Sequence, residues 1–404
     1  MQINSVNLSI IKDSRGNNTL EAKMTTKNFE AISSIPAGKS KGENEPVSLK
    51  PTEAIEIFKN LIEDKITSRK FNFQQEFDNF LINLDGTQRK EKLGGNLILV
   101  LSQCFARLMA QNQGKKLWQY LADEAEVKLR KKNIYLCLNL INGGVHASQG
   151  PKIQEYWIIP QAETVKDSYQ VAQDFFEKLK NEVKIRFGNR LEFGDEGGII
   201  MPNNNPLLPL EIYQKIVNEN NWLDKIKFGL DCAATQFYSQ GKYQLEEEKI
   251  LSSDELLNFY KKITENYPMV AIEDPFAEND WNNFQRITSS LGNKIWIIGD
   301  DLTTTNPIYI QKAIEQKAIN AVLIKLTQIG SVSETISAIK LAQMNKLKIV
   351  VSHRSGETMD DFIADLAFGL GADGLKAGAP GPSVRRIKYE RLIKIFDEFN
   401  SRKV

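Results

Sequence analysis

The chain has 404 residues, enough for one large barrel with a smaller domain or for two to three ordinary domains. It is 41% hydrophobic and 25% charged, the balance of a globular protein in water. Its 52 Lys and Arg nearly cancel its 51 Asp and Glu, so no global field draws it to nucleic acid or an anionic membrane, and no apolar run is long enough to span one.

Three β-like runs open the chain, at 3–11, 19–26 and 30–35. The turn Asp13-Ser14-Arg15-Gly16-Asn17-Asn18 joins the first two, and such short connections predict antiparallel neighbours. Ile35-Pro36-Ala37-Gly38-Lys39-Ser40-Lys41-Gly42 has the look of a phosphate-cradling loop without the P-loop spacing. It reads equally as a glycine-flanked lid or as a plain loop with solvated lysines. Helical patterns follow at 52–66 (after Pro51), 73–84 and 96–110. Together these predict an N-terminal α+β domain over 1–130 that carries the lid.

From 131 to 404 short apolar runs end repeatedly in one polar residue. They close on Asp231, Glu273, Asp300, Lys325, His353 and Lys376, and most of the intervals fit one strand plus one crossover helix. Two further runs, 136–141 and 156–159, lack a helix between them and predict an antiparallel pair. The expected fold is therefore an eight-stranded β/α barrel of the TIM type with an antiparallel second strand. The Gly-rich stretch Gly194-Asp195-Glu196-Gly197-Gly198 reads as a loop. Cys104, Cys137 and Cys232 have no metal-ligand spacing and are expected as reduced thiols of a cytoplasmic protein. No signal-peptide pattern is visible at Met1-Gln2-Ile3-Asn4-Ser5.

A β/α barrel puts its chemistry at the C-terminal ends of its strands. Asp231, Glu273 and Asp300 end three successive strands, and three carboxylates at one mouth need a counter-charge. Oxygen donors without Cys or His favour Mg²⁺ over zinc, although each acid could instead cap the helix after its strand. Lys325 ends the next strand. Burial and a nearby dication would lower its pKa and make it a base, while a buried salt bridge to one of the acids would place it there as well. His353, Arg354 and Ser355 offer a fork-shaped cation and a hydroxyl suited to phosphate or carboxylate, and Lys376 adds a further cation. Glu196 suits a general acid. The other histidine, His146, lies beside Asn142-Gly143-Gly144, so both copies sit in polar, glycine-rich motifs. The set describes removal of a proton beside a carboxylate on an anionic, metal-held substrate.

These motifs, with Ile153-Gln154-Glu155, Ile272-Glu273-Asp274-Pro275, Gly299-Asp300-Asp301-Leu302 and Ser352-His353-Arg354-Ser355-Gly356-Glu357, resemble enolase over almost the whole chain. A superfamily site with a Lys base and one or two Mg²⁺ is a known pattern. The resemblance implies reversible dehydration of 2-phosphoglycerate to phosphoenolpyruvate. It implies two Mg²⁺ per site, the first on Asp231, Glu273 and Asp300, the second held with Ser40 and the substrate phosphate. Lys325 would take the C2 proton and Glu196 would protonate the leaving hydroxide. Arg354 and Ser355, beside His353, would bind phosphate, Lys376 the carboxylate or base region, and His146 and Glu155 the leaving-group side. A homodimer is also implied, with Glu21 and Lys394 available to pair across it. The chain departs from the pattern at Ala37, Lys39 and Lys41 in the lid, at Val145, at Thr327, at Ser9, and at Pro382 and Val384. A non-catalytic paralogue and a related acid dehydratase remain the competing readings.

Overall fold

The computed structural model describes residues 1–39, 45–129, 133–246 and 248–401. Strands β1 (Ser5–Lys12), β2 (Asn18–Thr25) and β3 (Glu30–Ser34) form an antiparallel sheet in that order. Helix Gly95–Asn112, buried on almost every side, packs on β2 and β3, which explains its near-continuous apolar sequence. The helix expected over 52–66 starts at Pro51, where a missing N–H costs nothing, but its middle turn, Phe58–Ile62, is π-helical.

The second unit is a closed barrel. Strand β4 (Tyr135–Asn142) pairs antiparallel with β5 (Glu155–Pro160), and two-residue β6 (Ile199–Ile200) lies beside β4. Then come β7 (Ile226–Asp231), a small separate sheet of β8 (Tyr238–Ser239), β9 (Lys242–Glu246) and β10 (Lys249–Leu251), and β11 (Met269–Glu273). The barrel finishes with β12 (Trp296–Gly299), β13 (Ala321–Ile324), β14 (Lys348–Ser352) and β15 (Gly374–Lys376), and β15 pairs with β4 to close it. The β8–β10 sheet fills the long interval between Asp231 and Glu273, which the sequence reading left unexplained.

Cys137, Trp157, Ile159, Ala271, Ile298, Ala321, Leu323 and Val350 fill the barrel interior as a cluster separate from the shell around the strands. A fully buried side chain of this size contributes about 1.5–3 kcal/mol. Trp157 lies across Gly229, where a Cβ would meet its ring at 2.7 Å, so a side chain there would push the interior plug out of place.

The two units are joined by polar contacts that fix the N-terminal turn over the barrel mouth. Ser14 N donates to Glu357 O at 2.7 Å and Arg15 Nη1 to Ser355 Oγ at 3.2 Å. Farther out, Arg107 holds Asp360 and Asp361 at 3.0 Å each. Asp78 and Ser102 accept from Ser333 N (2.8 Å) and Val332 N (2.9 Å), so the N-terminal unit caps the barrel helix Val332–Met344.

Candidate active site

The strand ends bring the expected residues to one mouth. Glu273 and Asp231 are register partners on adjacent parallel strands, and Asp300 follows the last residue of β12. Glu155 is level with Asp231 on the antiparallel neighbour. With His146, Glu196, Lys325, His353, Arg354, Ser355 and Lys376, all but Glu273 of these line a cleft of about 480 Å³, reached on one side by Gly38 and Lys39. Glu273 is fully buried behind it. Ser40 lies outside the described residues.

Two lysines divide the acids. The Lys376 ammonium stands 3.0 Å from Glu155, 3.1 Å from Asp231 and 3.0 Å from Glu273, with the Trp157 ring 4.5 Å beneath it. The resemblance implies the substrate carboxylate or the base region for Lys376; in this structure its ammonium pairs with the acids beneath. It can do so because β15 closes the barrel next to β4, directing its side chain inward. Lys325 Nζ donates to Asp300 Oδ2 at 2.5 Å, and Gln328 Nε2 donates to Asp300 Oδ1 at 2.9 Å. Among the described residues, the oxygens within 4.8 Å of one another are those of Asp274, Asp300 and Asp301, and, with a histidine nitrogen, those of Glu155 and Glu196 beside His146. The trio Asp231, Glu273 and Asp300 is thus split between two ammonium groups rather than drawn to one point.

The electrostatics bear on two of the expected roles. Burial opposes the charged form of Lys325, yet the paired Asp300 outweighs it and raises the pKa, so this ion pair favours the ammonium form. Burial also opposes ionisation of Glu196, but the facing His353 and His146 hold its pKa well below the usual range. Its expected role as a proton donor therefore needs a resupply. His146 can give one: burial works against its charge, but Glu196 and Glu155 raise its pKa, and its Nδ1 lies 3.4 Å from Glu155 and 3.7 Å from Glu196.

His353 differs. Burial pushes it down to about 4. Its Nδ1 faces Arg385, which can only donate, so Nδ1 accepts and Nε2 carries the hydrogen toward Glu196 Oε2, 3.4 Å away. Asn139 Nδ2 also donates to Glu196 Oε2, at 3.0 Å. Glu196 rides on a tight turn, where a Cβ at Gly194 would stand 2.6 Å from the His146 carbonyl. Arg354 Nη1 donates to Thr327 Oγ1 at 2.9 Å, so the threonine that departs from the pattern is a direct partner of the phosphate-type cation.

Asn139, Gln154, Asp274 and Arg385 serve this site without having been assigned roles from sequence. Gln154 Nε2 donates to Asp231 Oδ2 at 3.2 Å. Asp274, in a left-handed conformation at φ 41°, accepts from the backbone of Asp300 and Asp301 at 2.9 and 2.8 Å. The signal for Asn139 was visible, an amide flanked by Leu138 and Leu140 in the middle of a mostly apolar strand.

The donor chemistry fits a hard divalent ion. Burial and the neighbouring Asp231 charge raise the Glu273 pKa well above the carboxylate range despite Lys376. That shift marks an acidic floor short of positive charge, which a divalent ion would supply, and all of the carboxylate donors are oxygen.

Comparison with known proteins agrees with this geometry. The model of the enolase C-terminal TIM barrel domain matches residues 135–404, and that of the enolase N-terminal domain matches 3–121. The chain belongs to the enolase family. It is 38% identical to Enolase B of Dictyostelium discoideum over 98% of this chain and 95% of that protein. The enzyme class that goes with enolase membership is phosphopyruvate hydratase, a carbon–oxygen lyase. Among the described residues no helix is long and apolar enough to cross a membrane.

Proposed function

We propose that this enolase-family chain reversibly dehydrates 2-phosphoglycerate to phosphoenolpyruvate at the mouth formed by β7, β11, β12, β13, β14 and β15. The observation that carries the reading is the juxtaposition of Lys325 and Asp300 at one rim with Glu196, His146 and His353 at the other. Arg354 and Ser355, beside His353, bind the phosphate. Lys376 has its ammonium in the acidic floor and turns it to the substrate carboxylate. As its contact with Asp300 loosens, Lys325 gives up its ammonium proton to solvent, and the free amine then takes the C2 proton onto Nζ. The electron pair moves into the carboxylate and gives a doubly charged intermediate. The C3 hydroxide then leaves with the proton of Glu196, which His146 resupplies. Glu155 and His146 line that side. The products are phosphoenolpyruvate and water.

Asp231, Glu273 and Asp300 would hold one Mg²⁺, and Ser40, with the phosphate, would hold a second. Bound there, Mg²⁺ supplies Lewis-acid stabilisation of the intermediate's charge, worth several kcal/mol. We also place the boundary between the two units near residue 130, the protein in the cytoplasm, and the chain in a homodimer. Family membership supports the last two, and sedimentation of the purified protein tests the dimer. The activity is tested by absorbance of phosphoenolpyruvate formed from 2-phosphoglycerate with Mg²⁺, with and without chelator. Turnover that chelator abolishes is expected, and no product with Mg²⁺ present refutes the reading.

A further inference from the structure

Arg354, assigned above to the substrate's phosphate, already holds an anion. Its Nη1 donates to Glu45 Oε2 at 3.1 Å and its Nη2 to Glu45 Oε1 at 3.3 Å. Two parallel N–H···O bonds from one guanidinium are also how Arg grips a phosphate. The two side chains are nearly sealed, at 6% and 7% exposure, so water does little to weaken the pair. Nη1 is shared with Thr327, and on the Nη2 side Gly38 lies so close that a Cβ there would stand 1.9 Å away. The Glu45 end has its own anchor. Arg89 Nε donates to Glu45 O at 3.2 Å, and Val47 N to Arg89 O at 2.8 Å. The carboxylate is therefore presented to Arg354 from the N-terminal unit, 309 positions away in sequence.

A phosphate arriving at Arg354 needs the same two N–H groups, and two buried anions cannot share one guanidinium without mutual repulsion. We propose that Glu45 is an internal occupant of the phosphate subsite, a carboxylate that a phosphorylated substrate must displace. The inference rests on the reading of Arg354 as the phosphate cation. Glu45 keeps the buried guanidinium neutralised while no substrate is bound. Apparent affinity for a phosphate is then lowered by the fraction of molecules in which Glu45 has left the fork.

Glu45→Gln keeps the shape and removes the charge, and Glu45→Asp keeps the charge but is too short to span the fork. The dissociation constant for inorganic phosphate by calorimetry, and KM for 2-phosphoglycerate, are measured for both variants beside the full-length wild type, with melting curves to show folding. Both constants are expected to fall, by about tenfold in Glu45→Gln and less in Glu45→Asp, as the competing carboxylate is weakened. If Glu45→Gln does not fold, Glu45→Asp decides by the direction of its shift. Constants that rise or stay equal overturn the proposal, because Glu45 then orients Arg354 instead of competing for it. A wild type without turnover would count against the proposed function alone, since phosphate binding still judges Glu45.

Discussion

Replacing Lys376 with Met removes an ammonium that touches Glu155, Asp231 and Glu273 together. Met keeps the apolar stem that packs over Trp157, so the change is close to a deletion of charge. Leaving buried acids without their partner costs about 3–5 kcal/mol. Protonation of Glu273, whose pKa burial and Asp231 already raise, limits the cost to that range instead of multiplying it by three contacts. The expected fall in melting temperature in chelator is roughly 3–6 °C for a protein of this size. Mg²⁺ should then stabilise the variant more than the wild type, because Lys376 no longer competes for the acids. At a concentration a hundredfold above its dissociation constant the ion adds about 2.7 kcal/mol. Differential scanning fluorimetry with chelator and with a Mg²⁺ series measures both effects. A variant that melts with the wild type in chelator, or gains no more from Mg²⁺ than it does, would falsify the view that ammonium and dication compete for one acidic floor.

Asp78, buried between the units, is pushed from its ordinary 3.8 up to about 6 by burial, against hydrogen bonds from Ser102, Ser333 and Gln74. The folded chain therefore keeps a proton that the unfolded chain has lost, and stability should decline by about 3 kcal/mol as pH rises through that window. Urea unfolding from pH 4 to 7 checks this: Asp78→Asn should lack that component, and equal slopes in the two proteins would contradict it. The chain has two histidines, so their ring resonances can be assigned with one variant. The His353 signal should stay flat from pH 8 to 5 because its pKa lies near 4, while His146 titrates above its ordinary 6.5. Joint titration near 6.5 would refute the assigned environments. Gly38→Ala puts a Cβ 1.9 Å from Arg354 Nη2, so the guanidinium must move. KM for 2-phosphoglycerate should rise by about tenfold or more, consistent with what a 1 Å misplacement can cost, and an unchanged KM would show that the lid position does not matter.

The barrel was legible because each buried parallel strand is a nearly unbroken apolar run, and its single polar terminator marks the catalytic rim. Asp231, Glu273, Asp300 and Lys325 were found that way. What those residues do to one another was not legible. Lys376 reaches Glu155 and Glu273 only because β15 closes against β4, a pairing that no local pattern encodes. The partner of Lys325 was not legible for a similar reason, since its contact of 2.5 Å with Asp300 is one of two options that spacing alone left open. Glu45 carries no local sequence signal of its own, because its partner Arg354 lies 309 positions away. The β8–β10 sheet escaped because its strands are two to five residues long, too short for a periodic signal.

The claim on which the mechanism turns is that Lys325 removes a proton from C2 before the hydroxide leaves. Nuclear magnetic resonance of 2-phosphoglycerate in deuterated water, with Mg²⁺ present, follows that step separately from dehydration. The wild type should replace the C2 hydrogen with deuterium, Glu196→Gln should still do so while forming little phosphoenolpyruvate, and Lys325→Ala should do neither while remaining folded. Exchange by Lys325→Ala at the wild-type rate would assign the proton to another base and contradict the account.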